Sequence, residues 1–380
     1  MLKKGLGKYL MDINLEKEKK VKVAFVVLGS AYSGAEVVLN RYLQENESIE
    51  PYFILIYSNN DIHKKMKELY GDNRIYSLGF TYSQLNITYL PFFERIKIKN
   101  KVKQVIKEIS PDLIYLNNTT ETMLVAGVFK NTPQICHIHD MKSHSRSPIR
   151  IFSTIKGIKK CSKAITVSHA CQRDWNLDMS VIYNGIDKSL FKYKTINRIR
   201  NIGFVGGLSY RKGIDIVLDS LDDIMAQNKD IIFNFAFNSI ENEMYLSQLK
   251  KLQIKYKNKI NLFQCLDEEK IVSFYDKMDL IVVPSRHDPL PTVIMEAISR
   301  GVAVIGTKVD GIPELLNNEE YILMDKNNIG LSNKIDFIAK LDNEELNKLT
   351  LKLFECSKER FNTENKKILV NKIIKEVTQK

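Results

Sequence analysis

Two carboxylates, Asp288 and Glu296, stand eight residues apart in the segment PSRHDPLPTVIMEAIS at 284–299. Before them, the apolar and β-branched run at 280–283 is typical of a buried parallel strand. The composition of TVIMEAIS at 292–299 predicts a helix after a proline-containing loop. We therefore expect Asp288 on the loop at the carboxyl end of a strand, and Glu296 just past the first turn of the next helix.

This placement suits a ligand that carries both hydroxyl groups and an anion. Ligands of open parallel sheets bind outside the carboxyl ends of the strands. The unpaired amides at a helix N-terminus favour a phosphate group at that end. Because a carboxylate can accept hydrogen bonds from sugar hydroxyls while the helix end binds the anion, the two acids point to a nucleotide-linked sugar.

A second candidate segment, GFVGGLSYRKGID at 203–215, places a glycine-rich turn before two adjacent cations, Arg211 and Lys212. Ammonium and guanidinium groups can stabilise a departing diphosphate without a metal ion. A lysine at the start of a helix opposes the usual preference for acids at that end, which favours a binding role for Lys212 over a surface role. For Arg211 two interpretations stay open, a contact with the diphosphate and exposure to solvent.

Together these segments resemble the signature of the family 4 retaining glycosyltransferases, also described as glycosyl transferases group 1, which have the GT-B fold. That family carries two glutamates separated by seven residues, and here Asp288 stands at the first position and Glu296 at the second. The resemblance covers about residues 165–316 well and the N-terminal half loosely. It includes three further segments: VSHA at 167–170, YNGID at 183–187 and GIPEL at 311–315.

The resemblance implies a donor-binding site around the two acids. Asp288 would orient the transferred sugar as a catalytic residue, and Glu296 would bind the ribose of the nucleotide. Family members also use main-chain amides around the position that Pro291 occupies here. Because proline has no amide hydrogen, we expect Thr292 and Val293 to take over that role in donor binding.

The resemblance also places Lys212 on the donor diphosphate, as both a catalytic and a donor-binding residue. Gly207 stands where many members have an arginine, and Arg211 is the candidate that would supply the missing guanidinium to the donor. The chain contains no Asp-x-Asp motif, which weighs against the metal-dependent class of glycosyltransferases. We therefore expect no metal and no cofactor, with a nucleotide-diphosphate sugar as the substrate.

In the N-terminal half, His139 of the segment CHIHD at 136–140 resembles the family's residue beside the transferred sugar, and we predict it to be catalytic. His137 is expected to be structural, since two histidine ligands without a third or fourth are weak evidence for zinc.

The loop after the first predicted strand contains Ser33 and Gly34. In the family this loop lies against the diphosphate and the acceptor, and a glycine lets the backbone approach a ligand closely. Gly34 is therefore predicted to bind the donor and Ser33 to face the acceptor. Glu314 is assigned to the acceptor side as well, with helix capping as the alternative.

The composition predicts a globular chain of two domains. A length of 380 residues exceeds one ordinary core, and 44% hydrophobic with 27% charged residues are globular values. The five cysteines include no Cys-x-x-Cys pair, which is typical of thiols in a reducing compartment. Since the sequence shows neither a long uninterrupted apolar run nor the apolar core of a signal peptide, we expect a cytoplasmic protein.

The net charge of +12, with a pI near 9.2, raises the question of an anionic partner. No zinc finger, aromatic RNA motif or recognition-helix pattern accompanies the charge, so nucleic acid is not an expected partner. Anionic lipid or a polyanionic acceptor fits a basic enzyme better. Residues 1–22 contain seven lysines, and we interpret them either as a disordered basic tail or as a weak interfacial helix in peripheral contact with an anionic membrane.

Short strand-like runs alternate with helical patterns along the chain, which predicts parallel, doubly wound sheets. With the resemblance, the expected fold is α/β of GT-B type, with two Rossmann-like domains facing across a cleft. The polar stretch at 187–200 is the natural linker. The predicted division is a basic extension at 1–20, an acceptor-side domain at 21–190, a nucleotide-sugar-binding domain at 191–363 and a terminal helix at 364–380 that crosses back to the first domain.

The sequence thus predicts a retaining, metal-independent glycosyltransferase that moves a sugar from a nucleotide diphosphate to a hydroxyl of a growing glycan, polysaccharide or glycolipid. Retention is implied by the resemblance alone. The Lys-, Asn- and Ile-rich composition is typical of AT-rich bacterial genomes, in which such enzymes build cell-envelope polymers. Two alternatives stay open: a sugar-nucleotide epimerase, and a catalytically silent GT-B partner subunit, which the departures at Gly207, Asp288 and Pro291 would favour. A dehydrogenase is disfavoured, because no Gly-x-Gly-x-x-Gly follows the first strand.

Overall fold

The computed structural model describes residues 20–29, 34–57, 60–80, 92–319, 322–325 and 330–379. The predicted basic extension before residue 20 and the candidate residue Ser33 lie outside the described residues. Within them, the chain forms two parallel sheets of seven and six strands, each flanked by helices. In the described part of the chain, no helix combines the length and the apolar character needed to cross a bilayer.

The first sheet has the order β3-β2-β1-β4-β5-β6-β7, and its strand pairs are all parallel. Its strands are β1 Val21–Val27, β2 Ile49–Tyr57, β3 Ile75–Phe80, β4 Leu113–Leu116, β5 Gln134–Ile138, β6 Lys163–Thr166 and β7 Ser180–Val181. The helices between them are α1 Gly34–Leu43, α2 Asn60–Tyr70, α3 Phe92–Ile109, α4 Thr119–Val125, α5 Pro148–Ile158 and α6 His169–Trp175.

The second sheet has the order β10-β9-β8-β11-β12-β13 and is also parallel. Its strands are β8 Asn201–Val205, β9 Ile232–Phe237, β10 Ile260–Gln264, β11 Leu280–Val283, β12 Ala303–Thr307 and β13 Leu323–Met324. The helices that follow are α7 Ile214–Gln227, α8 Glu243–Lys255, α9 Glu268–Lys277, α10 Thr292–Ser299, α11 Ile312–Leu315, α12 Leu331–Lys340, α13 Asn343–Arg360 and α14 Thr363–Thr378.

Each sheet reverses its winding at one point, between β1 and β4 in the first and between β8 and β11 in the second. Such a switch point opens a crevice at the carboxyl ends of the two central strands, where α/β proteins bind their ligands. The predicted candidate residues follow strands beside these two crevices. The topology therefore positions the candidate site before any side chain is considered.

The central strands are buried on both faces, as expected for a parallel sheet covered by helices. In β1, Ala24 and Val26 pack into one apolar cluster, whereas Val23, Phe25 and Val27 pack into the cluster on the opposite face. The second sheet has its own core, formed by all six of its strands and the surrounding helices.

Two chain segments that run between the sheets lie side by side. The Ile186 amide donates to the Phe361 carbonyl at 2.7 Å, and the Thr363 amide donates back to Ile186 at 3.0 Å. A Cβ at Gly185 would lie 2.7 Å from the Thr363 Cα, so only glycine allows the segments to approach this closely. The glycine of the YNGID segment is therefore required by packing.

The terminal helix α14 packs on the first sheet, where Val370, Ile373 and Ile374 join the cluster that contains the core residues of β1. Ile368 and Leu369 are apolar as well but do not join this cluster, since their side chains are 65% and 46% exposed. The buried stripe follows a helical spacing of three and four residues, and positions 368 and 369 fall outside it.

The polar stretch at 187–200 is packed and is not a free spacer. Ile196 and Ile199 are buried in the core of the second domain. The Asn347 side chain of α13 accepts from the Ile196 amide at 2.8 Å and donates to its carbonyl at 2.9 Å. These contacts fix the start of the second sheet to the helices around it.

Candidate functional site

The glycine-rich turn after β8 is pressed against the end of β11. Gly213 precedes α7 with a φ of 73°, and a Cβ there would overlap the Pro284 carbonyl oxygen. The neighbouring Lys212 therefore reaches the loop after β11, where its Nζ lies 2.5 Å from Oδ2 of Asp288. Two of the predicted donor-site residues, 76 positions apart in sequence, thus meet in one ion pair.

Asp288 is almost buried, with its side chain 8% exposed. Its amide donates to Oδ2 of Asp310 at 2.8 Å, and its carbonyl accepts from the Gly311 amide at 3.3 Å. These bonds tie the loop after β11 to the loop after β12. The carboxylate is therefore held at the crevice with an ammonium group beside it.

Two arginines flank this pair. Arg211 is exposed, and its Nη1 donates to the His287 carbonyl at 3.2 Å, so its guanidinium lies along the loop that carries Asp288. Arg286 forms a bidentate pair with Asp215, both bonds measuring 2.7 Å. Sequence reasoning missed Arg286, because a cation beside a loop carries no signal until its partner on α7 is known.

Helix α10 begins directly after this loop, at Thr292, as predicted. The preceding residue is Pro291, and no side chain caps the first turn. The Thr292 and Val293 amides therefore point out of the helix without an intrahelical partner, together with the positive end of the helix dipole. The arrangement offers an anion two amide donors close to the loop of Asp288.

Glu296 is engaged across the gap between the domains. Its Oε1 accepts from Arg41 Nη2 of α1 at 2.9 Å, and its Oε2 accepts from the Tyr275 hydroxyl at 3.0 Å. Burial, and then the carboxylate itself, raise the pKa of Tyr275 well above its usual range. A cavity of about 180 Å³ opens beside this trio and is also lined by Gln44 and Asp187.

His139 lies on the loop directly after β5, which ends at Ile138. Its backbone amide donates to Oδ1 of Asn118 at 3.2 Å, while its Nε2 is buried and has no hydrogen-bond partner among the described residues. Burial, and secondarily Lys366, lower the pKa of His139 to about 3, so the ring is neutral at neutral pH.

His137 is packed behind His139, with ring centroids 4.2 Å apart. Its Nδ1 is 2.7 Å from the hydroxyl of Tyr115, and burial lowers its pKa well below the usual range. The hydrogen bond and full burial agree with the structural role expected for it.

Lys366 of α14 is a buried cation that sequence reasoning missed. It is 4% exposed, and burial followed by the Arg41 guanidinium lowers its pKa to about 7. A sequence signal existed, because position 366 lies four residues before Val370 and seven before Ile373 on the buried stripe of the helix. Lys366 acts electrostatically on His139 and Arg41 together, and Arg41 in turn contacts Glu296.

The loop after β1 is anchored by a second residue that sequence reasoning missed. Oε1 of Glu121 accepts from the Leu28 amide at 2.6 Å, and burial raises the pKa of this carboxyl well above its usual range. A Cβ added at Gly34 would have no atom of the described residues within 4 Å, so packing against them does not require glycine. The space is consistent with the predicted approach of a ligand.

Glu314 caps a helix of the other domain. Its carboxylate accepts from the His169 and Ala170 amides at 3.0 and 2.6 Å, and from the Tyr183 hydroxyl at 3.0 Å. The start of α6 is thereby tied to α11. This capping accounts for the carboxylate by itself, and its assignment to the acceptor side stays a prediction.

One group among the described residues has the composition and spacing to hold a metal ion: His144, His287 and Asp310. Asp310 Oδ2 is 2.9 Å from His144 Nε2 and 3.9 Å from His287 Nδ1. The hydrogen bond of Asp310 to the Asp288 amide already gives the carboxylate a structural role. The prediction that no metal is required is therefore tested most directly at this cluster.

The family model described as "Glycosyl transferases group 1" matches residues 187–351. The "Uncharacterized glycosyltransferase MJ1178" of Methanocaldococcus jannaschii is 29% identical over 260 residues, which cover 65% of this chain and 70% of that protein. An "Uncharacterized 42.6 kDa protein in cps region" of Klebsiella pneumoniae is 24% identical over 284 residues, which cover 66% of this chain and 71% of that protein.

Among solved structures, Anabaena Alr3699/HepE in complex with UDP and glucose matches with a TM-score of 0.75 at 19% identity. The match covers 94% of this chain and 100% of that chain. At this level of identity the likeness concerns the fold, and it confirms the two facing Rossmann-like domains predicted from the sequence.

Proposed function

Since the chain is a group 1 glycosyltransferase with the GT-B fold, we propose that it is a retaining, metal-independent enzyme. It transfers a sugar from a nucleotide diphosphate to a hydroxyl group of a glycan, polysaccharide or glycolipid. The observation that carries the proposal is the Lys212–Asp288 pair beside the uncapped start of α10. A cation, an acid and free amides at one sheet crevice suit a sugar diphosphate.

The donor would bind between these groups. The diphosphate binds the Lys212 ammonium and the amides of Thr292 and Val293, and Arg211, whose guanidinium lies along the loop of Asp288, is the candidate for a further cation. Asp288, released from Lys212, accepts hydrogen bonds from the sugar hydroxyls. Glu296 exchanges its contact with the first domain for the ribose hydroxyls, so donor binding competes with an interdomain ion pair.

In the transfer step, the bond between the anomeric carbon and the phosphate oxygen breaks while the acceptor oxygen bonds to the same face of that carbon. The acceptor proton moves to an oxygen of the departing nucleoside diphosphate. Lys212 and the α10 amides stabilise the negative charge that develops on this leaving group. His139 contacts the sugar as a neutral ring, since its low pKa keeps a second positive charge out of the site. Retention rests on the family resemblance.

The first test is thermal stabilisation by a panel of nucleoside diphosphates and their sugar conjugates. A ligand at about 100 times its Kd adds roughly 2.7 kcal/mol to the folded state, and in a two-domain chain the shift is used for direction and rank. Glu296→Ala should lose the shift, whereas Tyr275→Phe, which removes one hydrogen bond to the same carboxylate, should keep most of it.

Product analysis then separates the alternatives. Release of nucleoside diphosphate that depends on an added acceptor supports the transferase. Conversion of the donor sugar without any acceptor would identify an epimerase, and the absence of both binding and turnover would indicate a silent partner subunit.

Metal independence is tested with the chelated enzyme. Turnover should survive removal of divalent ions. Loss of turnover on chelation, together with the same loss in His144→Ala, would show that the cluster of His144, His287 and Asp310 holds a required metal.

We further propose that the enzyme works in the bacterial cytoplasm on cell-envelope polysaccharide. The support is compositional, from the scattered cysteines and the Lys-, Asn- and Ile-rich sequence. The similarity to a Klebsiella pneumoniae protein in a cps region agrees with this assignment.

A further inference from the structure

The outer surface of α3 and α5 in the first domain displays large apolar side chains to solvent. Phe93 is 75% exposed on α3, and Ile149 and Phe152 are 69% and 67% exposed on α5. Ile96 on α3 is 38% exposed. Side chains of this size cost free energy in water, so a cluster of them indicates an interaction surface.

On α5 the apolar and basic residues share one helical face. Ile149, Phe152 and Lys156 are separated by three and four residues, so they follow one another along the same side of the helix. The helix contains two basic residues and no acid. Its exposed face is therefore apolar at the N-terminal end and basic at the C-terminal end.

Helix α3 repeats the arrangement beside it. Ile96, Lys99 and Lys103 have the same spacing of three and four residues. The helix contains six basic residues and two acids, one of which, Glu94, is paired with Lys97 at 2.9 Å. Both helices thus contribute an apolar and a basic part to one surface.

The basic parts of the two helices meet. Helices α3 and α5 both pack against α4, which brings them to the same side of the first sheet. In agreement with this, burial and then the charges of Lys160, Arg95, Lys103 and Lys156 lower the pKa of Lys99. Among the described residues, no carboxylate lies within ion-pair distance of Lys99, Lys103, Lys156 or Lys160. Like charges gathered without an acid do not stabilise the fold, whereas an anionic partner would neutralise them.

We propose that this α3–α5 face docks on an anionic lipid bilayer. Phe93, Ile149 and Phe152 would enter the headgroup and acyl boundary, and the lysines would contact anionic headgroups. Each lysine near such a surface contributes attraction, and aromatic side chains favour the interfacial region. A bilayer explains the apolar and the basic parts together, whereas a soluble polyanion would use only the lysines. Docking requires neither donor nor acceptor, so its test is independent of the proposed transfer.

The experiment is co-sedimentation of the full chain with vesicles of phosphatidylcholine alone, or of equal parts phosphatidylcholine and phosphatidylglycerol. Wild type should bind the anionic vesicles and not the neutral ones. Lys99→Gln with Lys156→Gln should weaken binding about 30-fold, which is two losses of about 1 kcal/mol each. Phe152→Ser should weaken vesicle binding about tenfold, because the variant has no phenyl ring to transfer from water into the bilayer.

Helix α8 of the second domain supplies the matched control. Its Ile254 is 72% exposed near the exposed Lys250 and Lys251. The variant with Ile254→Ser, Lys250→Gln and Lys251→Gln loses two charges and one exposed apolar side chain, and it should bind anionic vesicles like wild type. All substitutions are at exposed or half-buried positions, and circular dichroism checks that the variants fold.

Three results would overturn the proposal. Wild type could fail to bind anionic vesicles. The α3–α5 variants could bind them as tightly as wild type, which would place any membrane contact elsewhere, for instance in the basic segment before residue 20. The face could also bind a soluble polyanion such as heparin in a lysine-dependent way while Phe152→Ser has no effect, which would identify a polyanionic partner.

Discussion

Replacing Lys366 with methionine tests the most perturbed cation of the cleft. The side chain is 4% exposed, and burial followed by the nearby Arg41 guanidinium lowers its pKa from 10.5 to about 7. Below pH 7 the amine is protonated in both the folded and the unfolded chain. Between pH 7 and 10.5 the unfolded chain keeps a proton that the folded chain has released, so stability rises with pH in this window.

The magnitude follows from the difference between the two pKa values, 10.5 and about 7. At about 1.4 kcal/mol per unit, charging the buried amine costs on the order of 4–5 kcal/mol. Methionine has a similar shape without the charge. At pH 7 the variant should therefore be more stable than wild type by up to about 4 kcal/mol, and the advantage should shrink by about 1.4 kcal/mol per pH unit towards pH 10.

The assay is urea denaturation of both proteins from about pH 6 to pH 10, compared through the transition midpoint. Lys372→Met, an exposed substitution on the same helix, is the control and should follow wild type at every pH. The reasoning is refuted if the midpoints of wild type and Lys366→Met change with pH in parallel, or if the variant is the less stable protein at pH 7.

Three further substitutions test the site. Lys212→Ala should lower kcat/KM by about 10²–10³-fold, as loss of a group that stabilises a developing charge does, while Lys250→Ala should leave steady-state kinetics unchanged. Gly213→Ala should lower stability by roughly 2 kcal/mol or more, because φ is 73° and the added Cβ overlaps the Pro284 carbonyl; an unchanged Tm would contradict that contact. His139→Gln should reduce turnover without changing the pH profile between about pH 5 and pH 9, because a ring with a pKa of about 3 is already neutral there; a lost limb of the profile would show that His139 titrates.

The bounds of β11 and α10 could be predicted from the sequence, at Leu280–Val283 and Thr292–Ser299. Both elements are dictated locally, by a β-branched run and by a helical segment that follows prolines. The alternation of such elements also predicted the parallel, doubly wound sheets.

The partners of the candidate residues could not be predicted. Glu296 was identified from its spacing to Asp288, but its contacts with Arg41 and Tyr275 join residues 255 and 21 positions away in sequence. Likewise, the apolar positions Ile368 and Leu369 of α14 are exposed, since the helix turns another stripe towards the first sheet. Periodicity indicates that a helix has an apolar side, but the packing partner selects which residues form it.

The sequence by itself determined the element types, the positions of the cations and acids relative to strand ends, and the family resemblance, because these depend on neighbouring residues and their spacing. Only the tertiary structure decided which charges meet and which are shielded from water. The Lys212–Asp288 pair joins two loops of the second sheet, whereas the neutral His139 and the pKa of Lys366 near 7 arise where the first domain meets α14. Coulomb interactions and desolvation act through space, so residues that are distant in the chain set the chemistry of the site.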